Sequence, residues 1–166
     1  MSNDTHSLTP AILTLLRSTA AEAIMPRYQA LEAHQIDAKA ADDVVTVADR
    51  EAELILAEGL SKLLPEAAIV GEEAVHADPA LADRLGDALC WIIDPIDGTN
   101  NYAAGKPPFG IMIALAEAGE PVAGWIFDPL SGRLCHAHKG SGAFLGEDRI
   151  KARSSGATPP IAAISL

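Results

Sequence analysis

The segment that most constrains the fold of this chain is CWIIDPIDGT, at residues 90–99. Its first four residues are apolar, which is typical of a strand buried in a core. Two carboxylates, Asp94 and Asp97, follow directly and lie three residues apart. Because an isolated buried carboxylate is costly, acids at the end of a core strand indicate a partner, and one divalent cation would explain both acids at once.

The composition is that of one packed domain. Of the 166 residues, 49% are hydrophobic and 21% are charged, which is enough apolar surface for a core. The formal net charge of −11 argues against a surface that binds nucleic acid or an anionic membrane. We expect Cys90 and Cys135 to be packed thiols, and the absence of a visible signal peptide or membrane span favours the cytoplasm.

Hydrophobic spacing predicts two long helices before the strands. Apolar residues recur at helical spacing over residues 8–31, where Ser7 or Thr9 could cap the first helix, and again over 47–63. Residues 33–42 between them are polar and favour a linker or an irregular hairpin. Strands are expected at 67–70, 88–93, 109–116, 121–127, 133–138, 143–145 and 149–152. The predicted class is therefore α+β, with two long helices packed on a largely antiparallel sheet.

The pattern predicts a boundary near the end of the sequence. We assign residues 1–153 to an N-terminal α+β domain that binds metal and phosphate. Residues 154–160 resemble a linker, and IAAISL at 161–166 resembles a strand that is cut off, so we expect 154–166 to be a linker and the start of a second α/β domain. We therefore expect that this chain is a fragment of a longer protein.

Two other places carry acids that could join Asp94 and Asp97. Glu72 follows the predicted strand at 67–70 directly, although a charged turn after a strand would look the same. Asp49 lies in the first turn of the second helix, where the helix dipole favours an acid. From the residues alone, a solvated Asp49 is the favoured interpretation.

The chemistry of these acids indicates a hard cation. Carboxylate oxygens from Glu72, Asp94 and Asp97, with the carbonyl oxygen of Ile96, suit Mg²⁺ before Mn²⁺ or Ca²⁺. Acids placed on both sides of one tight turn can bridge two ions, and two-metal sites activate water at one ion and stabilise the leaving oxygen at the other.

The residues after the turn suit a phosphate group. Gly98, Thr99 and Asn100 would present backbone N–H groups at the start of a helix, which is a favourable place for an anion, next to Asp97. The hydroxyl of Thr99 could orient an attacking water, with Asp49 accepting its proton.

Other motifs with similar residues fit less well. The acids have the wrong spacing for an EF-hand loop or for the Asp-x-Asp-Gly-Thr of haloacid-dehalogenase phosphatases, and the glycines at 139–142 lack the spacing of a P-loop. His136 and His138 share one face of a strand, a spacing that can bind zinc, but the nearby Cys135 lies on the opposite face and no other His or Cys is close in sequence.

Taken together, the chain resembles the inositol monophosphatase family of Mg²⁺-dependent, lithium-sensitive phosphatases. The resemblance rests on DVVTVAD at 43–49, GEE at 71–73, WIIDPIDGTNNY at 91–102 and KGSGAF at 139–144, in the order and spacing of the family. It covers residues 8–166 and implies the N-terminal portion of the family's layered αβαβα fold.

The resemblance also implies a role for each site residue. The positions of Glu72, Asp94, Ile96 and Asp97 bind metal in the family, those of Asp49 and Thr99 orient the water, and Gly98 and Thr99 hold phosphate. It raises Asp49 from a solvated acid to an expected catalytic residue, beside Thr99 and Glu72. It further implies a homodimer, and a downstream Trp-Asp motif that this sequence lacks, so the isolated fragment should be inactive or impaired.

Two functions remain open. The first is a phosphomonoesterase that hydrolyses a small phosphorylated polyol, sugar or nucleotide with Mg²⁺, or with Mn²⁺, and without a nucleic-acid or membrane partner. The second is a truncated or degenerate relative without activity, acting as a metal- or phosphate-binding or assembly module.

Overall fold

The N-terminal helical segment is continuous but changes its hydrogen-bonding pattern along its length. The computed structural model describes residues 5–40 and 43–152. A 3₁₀ turn at Thr5–Leu8 leads into α1 at Thr9–Thr19, followed by a π-helical stretch at Ala20–Ile24 and a 3₁₀ turn at Met25–Arg27. The predicted cap is wrong, because the N-cap is Leu8 and, among the described residues, no side chain makes a capping hydrogen bond at this helix start. The preceding 3₁₀ turn makes the helix start without a break in the backbone.

The segment predicted as a linker or hairpin is a short hairpin. Strand β1 at Ile36–Ala40 pairs antiparallel with β2 at Asp43–Thr46. The second long helix, α2, begins immediately afterwards and runs over Val47–Leu63, as predicted. The hairpin therefore delivers the chain directly to the start of α2.

Seven further strands and two short helices follow α2. Their bounds are β3 Ala68–Gly71, α3 Glu72–Ala77, β4 Cys90–Asp97, α4 Thr99–Ala103, β5 Gly110–Glu117, β6 Glu120–Asp128, β7 Arg133–His138, β8 Gly142–Leu145 and β9 Asp148–Ile150. The strands form one sheet in the order β3-β4-β5-β6-β7-β8-β9. Strands β3 and β4 are parallel and are connected by α3 and a 3₁₀ segment at Pro79–Gly86. All later neighbours are antiparallel, and α4 lies between β4 and β5 in sequence.

The core lies between the two long helices and one face of this sheet. Large side chains from both layers are fully buried there and belong to one hydrophobic cluster: Ile12, Leu16, Leu56, Leu60, Trp91, Ile111, Leu115 and Trp125. Burial of these side chains is the main stabilising contribution to such a two-layer arrangement. The predicted α+β class, with two helices on a largely antiparallel sheet, is confirmed.

Two features differ from the expectation or lie beyond it. The strand predicted at 88–93 continues to Asp97, with a register shift against β5 between Asp94 and Asp97. The predicted boundary at 153 and 154 and the strand at 161–166 lie outside the described residues. None of the described helices is long and apolar enough to cross a membrane.

Candidate active site

Asp49 is held in place by the N-terminus of its own helix. It lies in the first turn of α2, where the sequence Thr-x-x-Asp at 46–49 forms a capping box. Asp49 Oδ2 accepts hydrogen bonds from the backbone N–H of Thr46 at 2.8 Å and from the Thr46 hydroxyl at 2.6 Å. The side chain is 0% exposed, so the interpretation of Asp49 as a solvated acid is wrong.

The second oxygen of Asp49 faces a residue fifty positions along the chain. Thr99 Oγ1 lies 3.0 Å from Asp49 Oδ1 and 2.8 Å from the carbonyl oxygen of Ile96. The hydroxyl has one proton, so it can donate fully to only one of these oxygens at a time. Burial raises the pKa of Asp49, and the hydrogen bonds from Thr46 oppose this rise. Asp49 is therefore a stronger base than an exposed carboxylate.

Glu72 and Asp94 meet because their strands are parallel neighbours. Gly71 pairs with Ile93 in the β3–β4 register, so Glu72, which follows β3, comes beside Asp94, which follows Ile93 within β4. The two carboxyl groups are in hydrogen-bond contact. Two ionised carboxylates repel each other, so this contact needs a shared proton or a cation.

The surroundings of Asp94 make its ionised form unfavourable. Burial, together with the negative charges of Glu72 and Asp97, raises the pKa of Asp94 to about 7. Asp94 Oδ1 is buried and has no hydrogen-bond partner among the described residues. A buried oxygen without a partner is destabilising, and it is a ligand suited to a cation.

The predicted cation ligands differ in how far the structure encloses them. Asp97 is exposed and lies beyond the register shift in β4. Within residues 5–40 and 43–152, no group of three or more Asp, Glu, His or Cys side chains could hold a metal ion by itself. The pair of Glu72 and Asp94, with the unpartnered Asp94 oxygen, fits a hard divalent cation that completes its coordination with water.

The turn after Asp97 requires glycine at position 98. Gly98 has a φ of 84° and is the N-cap of α4. A Cβ at this position would lie 2.9 Å from the carbonyl oxygen of Pro108. Both the left-handed backbone and the close approach exclude a side chain, and together they bring Thr99 back toward Asp49.

A cavity of about 600 Å³ borders this turn, and Asp97, Gly98 and Asn100 are part of its lining. A second cavity, of about 730 Å³, lies between the N-terminal helix and β7 and β8. Its walls are largely apolar and include none of the predicted site residues. A further cavity, of about 410 Å³, has Asp94 in its lining. Of these three, the cavity beside Gly98 borders the most predicted site residues, so it is the best placed to receive a group that reacts at this turn.

Glu53 is a buried acid that the sequence analysis missed. It lies one turn after Asp49 on α2, and its two oxygens accept hydrogen bonds from the backbone N–H groups of Glu73 and Ala74 at 2.7 and 2.9 Å. The signal that could have found it is its spacing, because an acid four residues after Asp49 lies on the same helix face as the buried residues Ala52 and Leu56.

The two histidines of β7 are hydrogen-bonded to each other. His136 Nδ1 lies 2.9 Å from His138 Nε2, and His136 Nε2 lies 3.0 Å from the carbonyl oxygen of Gly146. The Thr5 hydroxyl lies 2.9 Å from His138 Nδ1, and His6 stacks on the His138 ring. This network accounts for both buried rings through hydrogen bonding. Cys90 and Cys135 are free thiols, buried and half-buried respectively.

Comparison with known proteins identifies the family. The sequence model of the inositol monophosphatase family matches residues 4–165. The chain belongs to the inositol monophosphatase family. Inositol-1-monophosphatase of Rhizobium meliloti (strain 1021) is 38% identical over 117 residues, which are 70% of this chain and 42% of that protein. The fructose-1,6-bisphosphatase/inositol-1-monophosphatase of Thermotoga maritima is 39% identical over 109 residues, 66% of this chain and 40% of that protein.

A solved structure shows the same fold within the inositol monophosphatase family. The inositol monophosphatase of Thermotoga maritima superposes with a TM-score of 0.77 at 30% identity, covering 90% of this chain and 55% of that chain. The chain thus spans about half of the length of the relatives it matches. The predicted family and its fold are confirmed.

Proposed function

We propose that this chain forms the metal- and phosphate-binding part of a phosphomonoesterase that hydrolyses a small phosphorylated polyol, sugar or nucleotide. The observation that supports this most directly is the contact between Thr99 and the buried Asp49, beside the Glu72–Asp94 pair. Membership of a family that includes the two phosphatases named above supports it independently.

In the proposed mechanism, Thr99 and Asp49 orient and deprotonate the attacking water. The water would donate to Thr99 Oγ1, and the Thr99 proton would pass to Asp49 Oδ1, which lies 3.0 Å away. Two donors from Thr46 fix the other Asp49 oxygen, so the carboxylate cannot rotate away from Thr99. A buried base with a raised pKa is well suited to this proton transfer.

Glu72, Asp94, Asp97 and the carbonyl of Ile96 are the groups that we propose as ligands of Mg²⁺, or of Mn²⁺. When bound, such cations polarise the phosphate and lower the pKa of water. Asp97, Gly98, Thr99 and Asn100 are the proposed contacts of the substrate, and three of them border the cavity of about 600 Å³. Because α4 has only five residues, backbone N–H groups would contribute more to phosphate binding than the helix dipole. Inhibition by lithium, a homodimer and a cytoplasmic location belong to the same proposal.

The test replaces the two residues that handle the water. Thr99→Val and Asp49→Asn should each lower kcat for phosphate release by about 10²- to 10⁴-fold, the usual contribution of a positioned general base, with a smaller change in KM. Asp83→Asn, an exposed acid far from this turn in sequence, is the matched control and should keep wild-type rates. Activity of both site variants within a few-fold of wild type would refute the mechanism.

The alternative is a binding or assembly module without catalysis. It is favoured by one observation, that no three acidic, His or Cys groups of the described residues could hold a metal ion by themselves. A protein that spans the full length of the family members and binds Mg²⁺ or phosphate, but releases no phosphate from inositol phosphate, fructose bisphosphate or nucleotide monophosphates, would establish this alternative. Mg²⁺-dependent release that Asp94→Asn abolishes would exclude it.

A further inference from the structure

Glu53 caps a helix other than its own. Its carboxylate is buried, with 8% of the residue exposed, and it belongs to α2. The backbone N–H groups of Glu73 and Ala74, which are its partners, belong to the first turn of α3. First-turn N–H groups have no partner within their own helix. The N-cap of α3 is Gly71, which has no side chain to supply one. Glu53 therefore acts as the cap of α3, although it lies about twenty residues earlier in the sequence.

The same carboxylate explains why position 71 is glycine. Gly71 has a φ of −101°, which any residue can adopt, so the backbone does not require glycine here. A Cβ at this position would lie 2.3 Å from Glu53 Cδ and 2.5 Å from each of its oxygens. Glu53 and Gly71 thus form a matched pair, in which the absent side chain leaves the space that the carboxylate fills.

One helix turn connects this pair to the catalytic contact. Asp49 and Glu53 are four residues apart and therefore neighbours on one face of α2, about 6 Å apart along the axis. Asp49 contacts Thr99, which follows β4, whereas Glu53 holds the start of α3, which follows β3. A single helix therefore sets the positions of both chain segments that form the candidate site.

We propose that Glu53, together with Gly71, is a positioning residue that directs the Glu72 carboxylate toward Asp94. The two peptide units that Glu53 holds follow Glu72 directly, so they determine the backbone from which that side chain projects. The inference rests on the proposed function, in which Glu72 is a cation ligand.

The cost of a buried glutamate supports a role beyond stability. Burial raises the pKa of Glu53, and the negative charges of Glu73 and Glu72 add to this effect. An apolar residue would avoid that cost, since replacing buried charge by a packed hydrophobic group is often neutral or stabilising. Placing three acids close together is unfavourable for folding, but it is useful if one of them must be aimed at a cation.

Glutamine cannot replace Glu53 at this site. Both oxygens of the carboxylate accept from backbone N–H groups, so the NH₂ group of a glutamine would face an N–H donor whichever way the amide is turned. Glu53→Gln therefore breaks one hydrogen bond while it keeps the shape of the side chain. Glu58→Gln is the matched control, because Glu58 is an exposed glutamate of the same helix that pairs only with Lys62 among the described residues.

The first experiment compares these two variants in amide hydrogen exchange by NMR and in Mg²⁺ binding by calorimetry. In Glu53→Gln, we expect exchange at Glu73 and Ala74 to accelerate at least about tenfold, and Mg²⁺ affinity to fall about 10- to 100-fold, the usual effect of losing a residue that orients a metal ligand. Glu58→Gln should change neither. Faster exchange with Mg²⁺ affinity within twofold of wild type would make Glu53 a structural cap only and overturn the proposal. Unchanged exchange would refute the geometry itself.

The second experiment uses Gly71 and covers the case that Glu53→Gln folds poorly. Gly71→Ala should displace the retained Glu53 carboxylate and weaken Mg²⁺ binding by a similar factor. In a Glu53→Ala background the added methyl meets no carboxylate, so Gly71→Ala should cause little further loss. Losses that simply multiply in the double variant would show that the two residues act independently and would overturn the pairing.

The positioning role of Glu53 and the proposed phosphatase activity can fail separately. In a protein that spans the full length of the family members, Mg²⁺ binding that weakens in Glu53→Gln without any phosphate release supports the positioning role and refutes the phosphatase. A wild-type protein that binds no Mg²⁺ overturns the positioning role.

Discussion

Removing the charge of Asp94 should stabilise the protein when no divalent cation is bound. Burial and the nearby charges of Glu72 and Asp97 raise the pKa of Asp94 from its ordinary value of 3.8 to about 7. Between these two values the folded state holds a proton that the unfolded state has lost, so wild-type stability decreases as the pH rises through this range. Above pH 7 Asp94 is ionised in the folded state as well, so the full loss of wild-type stability is present. Asparagine cannot ionise, so Asp94→Asn should not show this loss.

The size of the effect follows from the shift. A change of about three pKa units corresponds to about 4 kcal/mol at 1.36 kcal/mol per unit, which is an upper limit. Asp94 is only half-buried, and solvent screening reduces such interactions substantially. An asparagine at this site must also find partners for its amide. We therefore expect Asp94→Asn to raise the free energy of unfolding by about 1–2 kcal/mol at pH 8, and by much less at pH 4.5.

The measurement is urea unfolding in EDTA, followed by the fluorescence of the two buried tryptophans, Trp91 and Trp125. The free energy of unfolding of the variant and of wild type is compared at several pH values between 4.5 and 8. Asp83→Asn, at an exposed position, should give a difference that does not change with pH. The reasoning is refuted if Asp94→Asn gains nothing at pH 8, or if its gain is the same at both ends of the range.

Three further predictions concern the scaffold, and urea unfolding checks each of them. Leu56→Ala should cost about 2–5 kcal/mol because Leu56 is fully buried in the core, whereas the same change at Leu54, which is 71% exposed, should cost about 0.5 kcal/mol or less. Tyr102→Phe should cost about 1–2 kcal/mol, since the buried hydroxyl donates to the carbonyl of Ile24 at 2.8 Å. Gly98→Ala should cost about 1–3 kcal/mol, because it places a side chain at a φ of 84°. Equal costs at the two leucines, or a neutral change at either of the other positions, would contradict the corresponding contact.

Local patterns predicted most of the elements and one part of the site. The spacing of apolar residues located α2 and the strands β3 to β9 to within a few residues, because a period of 3.6 or 2 reflects which face is buried. It did not predict β1 and β2 as strands. Glu72 and Asp94 could also be picked out as candidate ligands from local sequence, because each follows an apolar run, whereas their meeting depends on the parallel pairing of β3 and β4. The capping box at 46–49 was likewise present in the sequence, and overlooking it led to the interpretation of Asp49 as a solvated acid.

Contacts between distant segments could not be predicted in this way. Thr9 was expected to cap α1, but its hydroxyl instead accepts a hydrogen bond from Trp125 Nε1 at 3.1 Å, because β6 packs against that helix end. The pairing of Glu53 with the start of α3 depends on how α2 lies across the sheet. The spacing of apolar residues in the sequence does not specify the angle between a helix and the sheet on which it packs.

The sequence by itself determined the elements, the α+β class and the residue types of the site, because burial and backbone geometry act over a few neighbouring residues. Only the tertiary structure decided that Asp49 is buried against Thr99 and that Glu53 occupies the space left by Gly71. The physical reason is that these contacts join residues 18 to 50 positions apart, as their numbers show. Their distances are set by the packing of α2 on the sheet, to which the whole core contributes.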